Sequence, residues 1–161
     1  MTRKLPPTAI ILGIAGLLPF VLCALGALTT GSGDVATRYV LALSAYGAVI
    51  LAFLGGVHWG FGLDAAGAPP ALVQRARFGL GVVPSLIGWA GLLVTFIGLP
   101  KTGLLVLVAG FIATTVVEAR AAKQGWMPAS YMGLRWVLSV VVVVLLVSVC
   151  LVLAFGGKVV L

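Results

Sequence analysis

A few ionisable side chains stand at the ends of long apolar stretches, and they are the residues best suited to chemistry. His58 lies near the end of one stretch, Glu118 near the end of another, and Arg135 begins a third. Ionisable groups within apolar segments cost free energy and usually have a role. An imidazole, a carboxylate and a guanidinium together can form an ion pair or bind the polar group of a ligand.

We predict a ligand-binding site from six residues that share these positions: His58, Trp59, Arg77, Glu118, Tyr131 and Arg135. Glu118 is expected to pair with Arg77 or with His58. Such a cluster suits an anionic headgroup, a quinone-like molecule or a tetrapyrrole-like molecule. The alternative is that these side chains only anchor helix ends at the membrane interface, with one ion pair between them.

Other kinds of site lack the residues that they need. The sequence has one histidine and two cysteines, so no Cys/His cluster with metal-ligand spacing exists and no second histidine is present for haem. The serines have no His/Asp context to activate them as nucleophiles. We therefore expect no metal site, no catalytic residues and no enzyme, and the sequence indicates no particular cofactor.

The composition places these residues in a membrane protein. Of the 161 residues, 62% are hydrophobic and 8% are charged, whereas a soluble domain has about 25% charged residues. The net charge of +7 comes from basic residues that stand singly between apolar runs. No continuous basic face is available for a phosphate backbone, so nucleic acid is not an expected partner.

Five apolar segments are long enough to cross the bilayer as helices, a length of roughly 20 residues. They cover about 8–28, 39–62, 78–98, 102–120 and 135–156. Helices satisfy their own backbone groups in lipid, and these runs are too long and uniformly apolar for barrel strands. The sequence therefore predicts an all-α fold, a bundle of five transmembrane helices in one membrane domain over residues 1–161.

The basic residues also predict an orientation. Seven of them fall on the side that includes the N-terminus and three on the other: Arg3, Lys4, Arg75, Arg77, Arg120, Lys123 and Arg135 against Arg38, Lys101 and Lys158. The positive-inside rule then puts the N-terminus in the cytoplasm and the C-terminus in the periplasm. We expect a multi-pass protein of a bacterial inner membrane.

Small residues repeat along one face of several spans and predict where helices pack closely. The third span has such a face at Gly81, Gly88 and Gly91, and the second has one that includes Gly55. The fifth span is rich in valine and leucine on all sides. We expect the first three spans to form the centre and the fifth to face lipid or a partner.

The run from Ala45 to Gly60, which contains Gly-Gly-Val-His-Trp-Gly, resembles the signature of the domain of unknown function 3429 family, which is transmembrane protein 69-like. Two further segments resemble it, at Val83-Pro84-Ser85-Leu86 and at Pro128, Tyr131, Leu134 and Arg135. The resemblance implies a five-helix protein of bacterial inner membranes and mitochondria, with no established activity.

Two functions remain open from the sequence. The short loops and the smooth valine-rich helix favour an accessory or assembly subunit of a membrane protein complex. The alternative is a protein that binds a small molecule or a lipid headgroup at the cytoplasmic face. The expected partners are membrane lipids and other membrane protein subunits.

Overall fold

The computed structural model describes residues 5–30, 33–63, 71–124 and 129–155, and nearly all of them are helical. The six helices are α1 (Pro7–Ala15), α2 (Leu18–Thr29), α3 (Asp34–Leu63), α4 (Ala71–Phe96), α5 (Pro100–Lys123) and α6 (Ala129–Phe155). Helices α1 and α2 together make one apolar span, and each of the other four helices makes another, so five spans are long enough to cross a membrane. The predicted all-α, five-span architecture is confirmed.

The first span is interrupted at Gly16 and Leu17, where the sequence predicted one continuous helix. Pro19 explains the interruption, because it has no amide hydrogen for a carbonyl one turn earlier and its ring crowds that turn. The hydroxyl of Tyr46 on α3 donates to the Gly16 carbonyl at 2.9 Å. A backbone acceptor at the interruption is thus satisfied inside the bundle.

Helices α3 and α4 approach each other through the predicted glycine faces. A Cβ atom added at Gly55 would lie 2.1 Å from the carbonyl oxygen of Gly81, and one added at Gly88 would lie 2.9 Å from that of Ala48. Only glycine allows the two backbones to come this close at these positions.

The centre of the bundle differs from the prediction, because α5 takes a central place that was expected for the first span. Half of the most apolar stretch of α5 is buried, against 11% in the first span. Gly103 packs against Thr95 of α4, and Gly110 packs against Ile87 of α4 and Leu51 of α3. These two glycines let α5 enter between its neighbours.

Helix α6 has one buried face and one exposed face, although its composition predicted a helix that is apolar on all sides. Its buried positions recur at helical spacing and include Arg135, Ser139, Val142, Leu146 and Val149. The opposite face, with Val137, Val140 and Val144, is exposed as expected for contact with lipid. The buried face carries the polar residues of the candidate site.

Candidate functional site

Three helices each bring one ionisable side chain to a common buried point. Glu118 on α5 is 0% exposed, His58 on α3 is 3% exposed and Arg135 on α6 is 4% exposed. They lie toward the end of the bundle where α3 and α5 end and α4 and α6 begin, which we call the His58 end. The sequence predicted that His58 points inward, which it does, and that Glu118 pairs with Arg77 or with His58. In the structure the hydrogen-bonded partner of Glu118 is Arg135, which was not predicted, and His58 lies at ion-pair distance.

The Glu118 carboxylate lies between two basic groups. Its Oε2 atom accepts a hydrogen bond from Nε of Arg135 at 2.5 Å. Its Oε1 atom is 3.6 Å from Nε2 of His58, close enough for an ion pair with a protonated imidazole but too far for a hydrogen bond. Oε1 has no hydrogen-bond partner among the described residues.

Two hydroxyl groups extend the cluster between α5 and α6. Nη1 of Arg135 donates to Oγ of Ser139 at 2.6 Å, and Oγ of Ser139 lies 2.8 Å from Oγ1 of Thr115. Thr115 also lies 2.8 Å from the carbonyl oxygen of Phe111, which can only accept. Because a threonine hydroxyl has one hydrogen, a consistent network runs from Arg135 through Ser139 and Thr115 to that carbonyl.

A groove of about 480 Å³ lies against this cluster, between α1, α3 and α6. Its walls are almost entirely apolar: Ala9, Leu12 and Gly13 of α1, Phe53 and Val57 of α3, and Leu134, Leu138 and Val142 of α6. Leu12 and Phe53 are 71% and 66% exposed, so the groove opens on the outer surface of the bundle. In a membrane that surface faces lipid.

Among the described residues of the groove lining, the polar side chains lie at one end, where Tyr131 and Arg135 begin α6. From Tyr131 to Val142 the groove follows α6 for about 16 Å, at 1.5 Å per residue. The apolar core of a bilayer is about 30 Å thick. The groove therefore has about the depth of one leaflet, with its polar end at the His58 end of the bundle.

The remaining predicted residues have different positions. Trp59 is 44% exposed, and its Nε1 donates to the carbonyl oxygen of Phe78 on α4 at 3.2 Å. The two rings pack edge to face, with centroids 5.1 Å apart. Trp59 thus connects α3 to α4 at the outer surface, away from the buried cluster. Arg77 is half-buried on α4, next to Phe78 in the chain.

Sequence reasoning missed the role of Ser139 and the groove itself. Ser139 follows Arg135 by four residues, a spacing that places both on one helix face, and this is the signal that could have identified it. The groove depends on how α1 lies against α3 and α6, which no local pattern reveals. Within the described ranges, no three His, Cys, Asp or Glu side chains come together as metal ligands.

Comparison with known proteins identifies the family of this chain but indicates no activity. The family model described as "Protein of unknown function (DUF3429)" matches residues 5–151. Transmembrane protein 69 of Xenopus tropicalis is 40% identical over 91 residues, which is 56% of this chain and 34% of the relative. Transmembrane protein 69 of Mus musculus is 37% identical over 93 residues, or 55% of this chain and 34% of the relative. The match thus spans about a third of these relatives, and no solved structure matches the chain.

Proposed function

This chain belongs to the DUF3429 family, and we propose that it binds a membrane amphiphile in the groove between α1, α3 and α6. The hydrocarbon part of the amphiphile lies along the apolar walls, and its polar group is held at Arg135. One observation carries the proposal: a buried arginine that lines an apolar, laterally open groove retains an unused donor.

That donor is Nη2 of Arg135. Nε is engaged by Glu118 and Nη1 by Ser139, whereas Nη2 has no hydrogen-bond partner among the described residues. Leaving a buried donor unsatisfied costs about 1–3 kcal/mol, and more for a charged group. Nη2 is itself buried, so a ligand's acceptor would reach it through a small shift of the Arg135 side chain at the polar end of the groove, and this contact would remove the cost.

The shape of the groove supports a ligand that arrives from the membrane. Leu12 and Phe53 both line the groove and are exposed on the outer surface, so apolar side chains border the groove on its lipid-facing side. The volume of about 480 Å³ falls in the range of about 300–1,000 Å³ that is usual for small-molecule sites.

The test is native mass spectrometry of the protein extracted gently from its own membrane. Ala9→Trp places a bulky side chain in the groove lining and changes no residue of the buried cluster, and Ile11→Trp places the same side chain on the exposed, non-lining part of α1. We expect wild type and Ile11→Trp to retain a bound amphiphile and Ala9→Trp to lose most of it. Equal retention by all three proteins would contradict a ligand in this groove.

We also propose the location and orientation predicted from the charges: a bacterial inner membrane, with the His58 end in the cytoplasm and the C-terminus in the periplasm. Arg120 and Lys123 in the last turns of α5 support it, because both are exposed at the His58 end. The amphiphile would then occupy the cytoplasmic leaflet.

A second candidate function is the accessory or assembly subunit, and a particular surface favours it. Ala52, Gly56 and Gly60 lie four residues apart on α3, all exposed, and an added Cβ at either glycine meets nothing within 4 Å. Small residues at this spacing allow a helix of another subunit to approach closely.

This candidate is tested by purifying the protein under mild conditions with and without Gly56→Leu. Gly79→Leu is the matched control, since Gly79 on α4 is equally open. A subunit role predicts a stoichiometric partner that Gly56→Leu alone loses. Absence of any stoichiometric partner from wild type would contradict it.

A further inference from the structure

We infer that the amphiphile has an uncharged hydrogen-bond-accepting head, such as the carbonyl of an ester, a ketone or a quinone. This inference rests on the proposed function and narrows its ligand. It follows from the charge balance at the polar end of the groove and from the Nη2 donor of Arg135.

The buried charges already balance without a ligand. Beside a neutral His58, Glu118 contributes one negative charge and Arg135 one positive charge, with the two groups in direct contact. A bound anion would leave a net charge in an apolar surrounding, where it is poorly stabilised. An uncharged acceptor can hydrogen-bond with Nη2 of Arg135 and adds no charge to the Glu118–Arg135 pair.

Among the described residues, no further arginine or lysine lines the groove to stabilise an anion. Arg120 and Lys123 are exposed on α5, and Arg77 lies on α4, a helix that contributes nothing to the groove lining. His58 faces the Glu118 carboxylate rather than the groove walls. The cluster differs in this respect from phosphate and carboxylate sites, which usually have several cationic or amide donors.

The donor that remains suits a carbonyl oxygen. Nη2 of Arg135 has two N–H groups and no hydrogen-bond partner among the described residues. A carbonyl oxygen has two lone pairs, so it can accept from such a donor without bringing a charge. Beyond this end the lining is hydrocarbon, which matches an acyl or isoprenoid chain.

The experiment compares three probes that have the same chain length: methyl hexadecanoate, hexadecane sulfonate and hexadecane. Each is added at pH 8 to wild-type protein in lipid nanodiscs, and the bound fraction is measured by native mass spectrometry. We expect methyl hexadecanoate to bind at least tenfold more tightly than either of the other probes. Decylbenzoquinone, as a second carbonyl probe, distinguishes a quinone from an ester as the natural source.

The outcomes separate this inference from the proposed function. Preference for the sulfonate would overturn the uncharged head and leave the amphiphile site intact. Equal binding of the ester and hexadecane would overturn recognition of any head. If no probe binds wild type better than Ala9→Trp, both the inference and the proposed function fail.

A variant of the arginine provides an independent readout on the head. Arg135→Lys retains the positive charge beside Glu118 but removes the planar group with its spare nitrogen. We expect it to bind the ester no better than hexadecane while still binding both in the groove. An unchanged preference for the ester would overturn the role of Nη2.

Discussion

Glu118 on α5 and Arg135 on α6 form an ion pair inside the bundle, with Oε2 and Nε 2.5 Å apart and their side chains 0% and 5% exposed. The pair joins two helices that are neighbours in the chain. Taking both charges out of water is costly, so the pair is tolerated only while both partners are present.

Glu118→Gln should destabilise the bundle by about 3–5 kcal/mol, because it leaves the Arg135 charge buried without a counter-charge. The glutamine retains the size of the side chain and one acceptor for Nε. The measurement is unfolding of the purified protein in mixed micelles with increasing SDS, followed by circular dichroism.

The control removes both charges. The double variant Glu118→Leu/Arg135→Leu should regain most of the lost stability, since no unpaired charge remains. If it is as unstable as Glu118→Gln, packing volume and not charge pairing explains the loss.

Ser139→Ala should cost about 1–3 kcal/mol, since it removes the acceptor of Nη1 of Arg135 and breaks the contact with Thr115. Ser148→Ala on the same helix is the matched control. Among the described residues, Ser148 donates to the Val144 carbonyl of its own helix in an exposed hydrogen bond, so its loss should change stability by less than about 0.5 kcal/mol. Equal effects in SDS unfolding would contradict a network between α5 and α6.

The span architecture could be predicted because hydrocarbon thickness and backbone hydrogen bonding leave few alternatives. Long apolar runs therefore identify helices even in one sequence. Their arrangement could not be predicted in the same way. The sequence shows small faces on several helices, but only the structure shows that Gly103 and Gly110 bring α5 to the centre.

The candidate site was partly predictable for the same reason. His58 and Glu118 could be identified because ionisable groups are rare in these spans, so each one is a candidate functional residue. Trp59 is adjacent to His58 in the chain but points to α4, because successive residues on a helix differ in direction by about 100°. The groove could not be predicted, because it depends on the position of α1, which ends at the interruption at Gly16 and Leu17.

The crossing of α3 and α4 makes a sharp prediction about two adjacent glycines. Gly55→Ala would place a Cβ atom 2.1 Å from the Gly81 carbonyl oxygen, so the helices must separate, at a cost of about 1–3 kcal/mol. Gly56→Ala meets open space and should change stability by less than about 1 kcal/mol. SDS unfolding of the two variants measures the difference, and similar values would mean that the helices do not cross as described.

The proposed orientation is tested by placing single cysteines at opposite ends of the bundle. Leu72, at the start of α4, is 80% exposed at the His58 end, and Thr30 is exposed just after α2 at the other end. In intact cells that make a variant without Cys23 and Cys150, a membrane-impermeant maleimide should label Thr30→Cys. Leu72→Cys should react only after the cells are opened.

This pattern is expected because basic residues at the His58 end are retained on the cytoplasmic side. Labelling of Leu72→Cys in intact cells, with protection of Thr30→Cys, would reverse the orientation. The ligand groove would then open into the outer leaflet, and the amphiphile would have to be sought among the lipids of that leaflet.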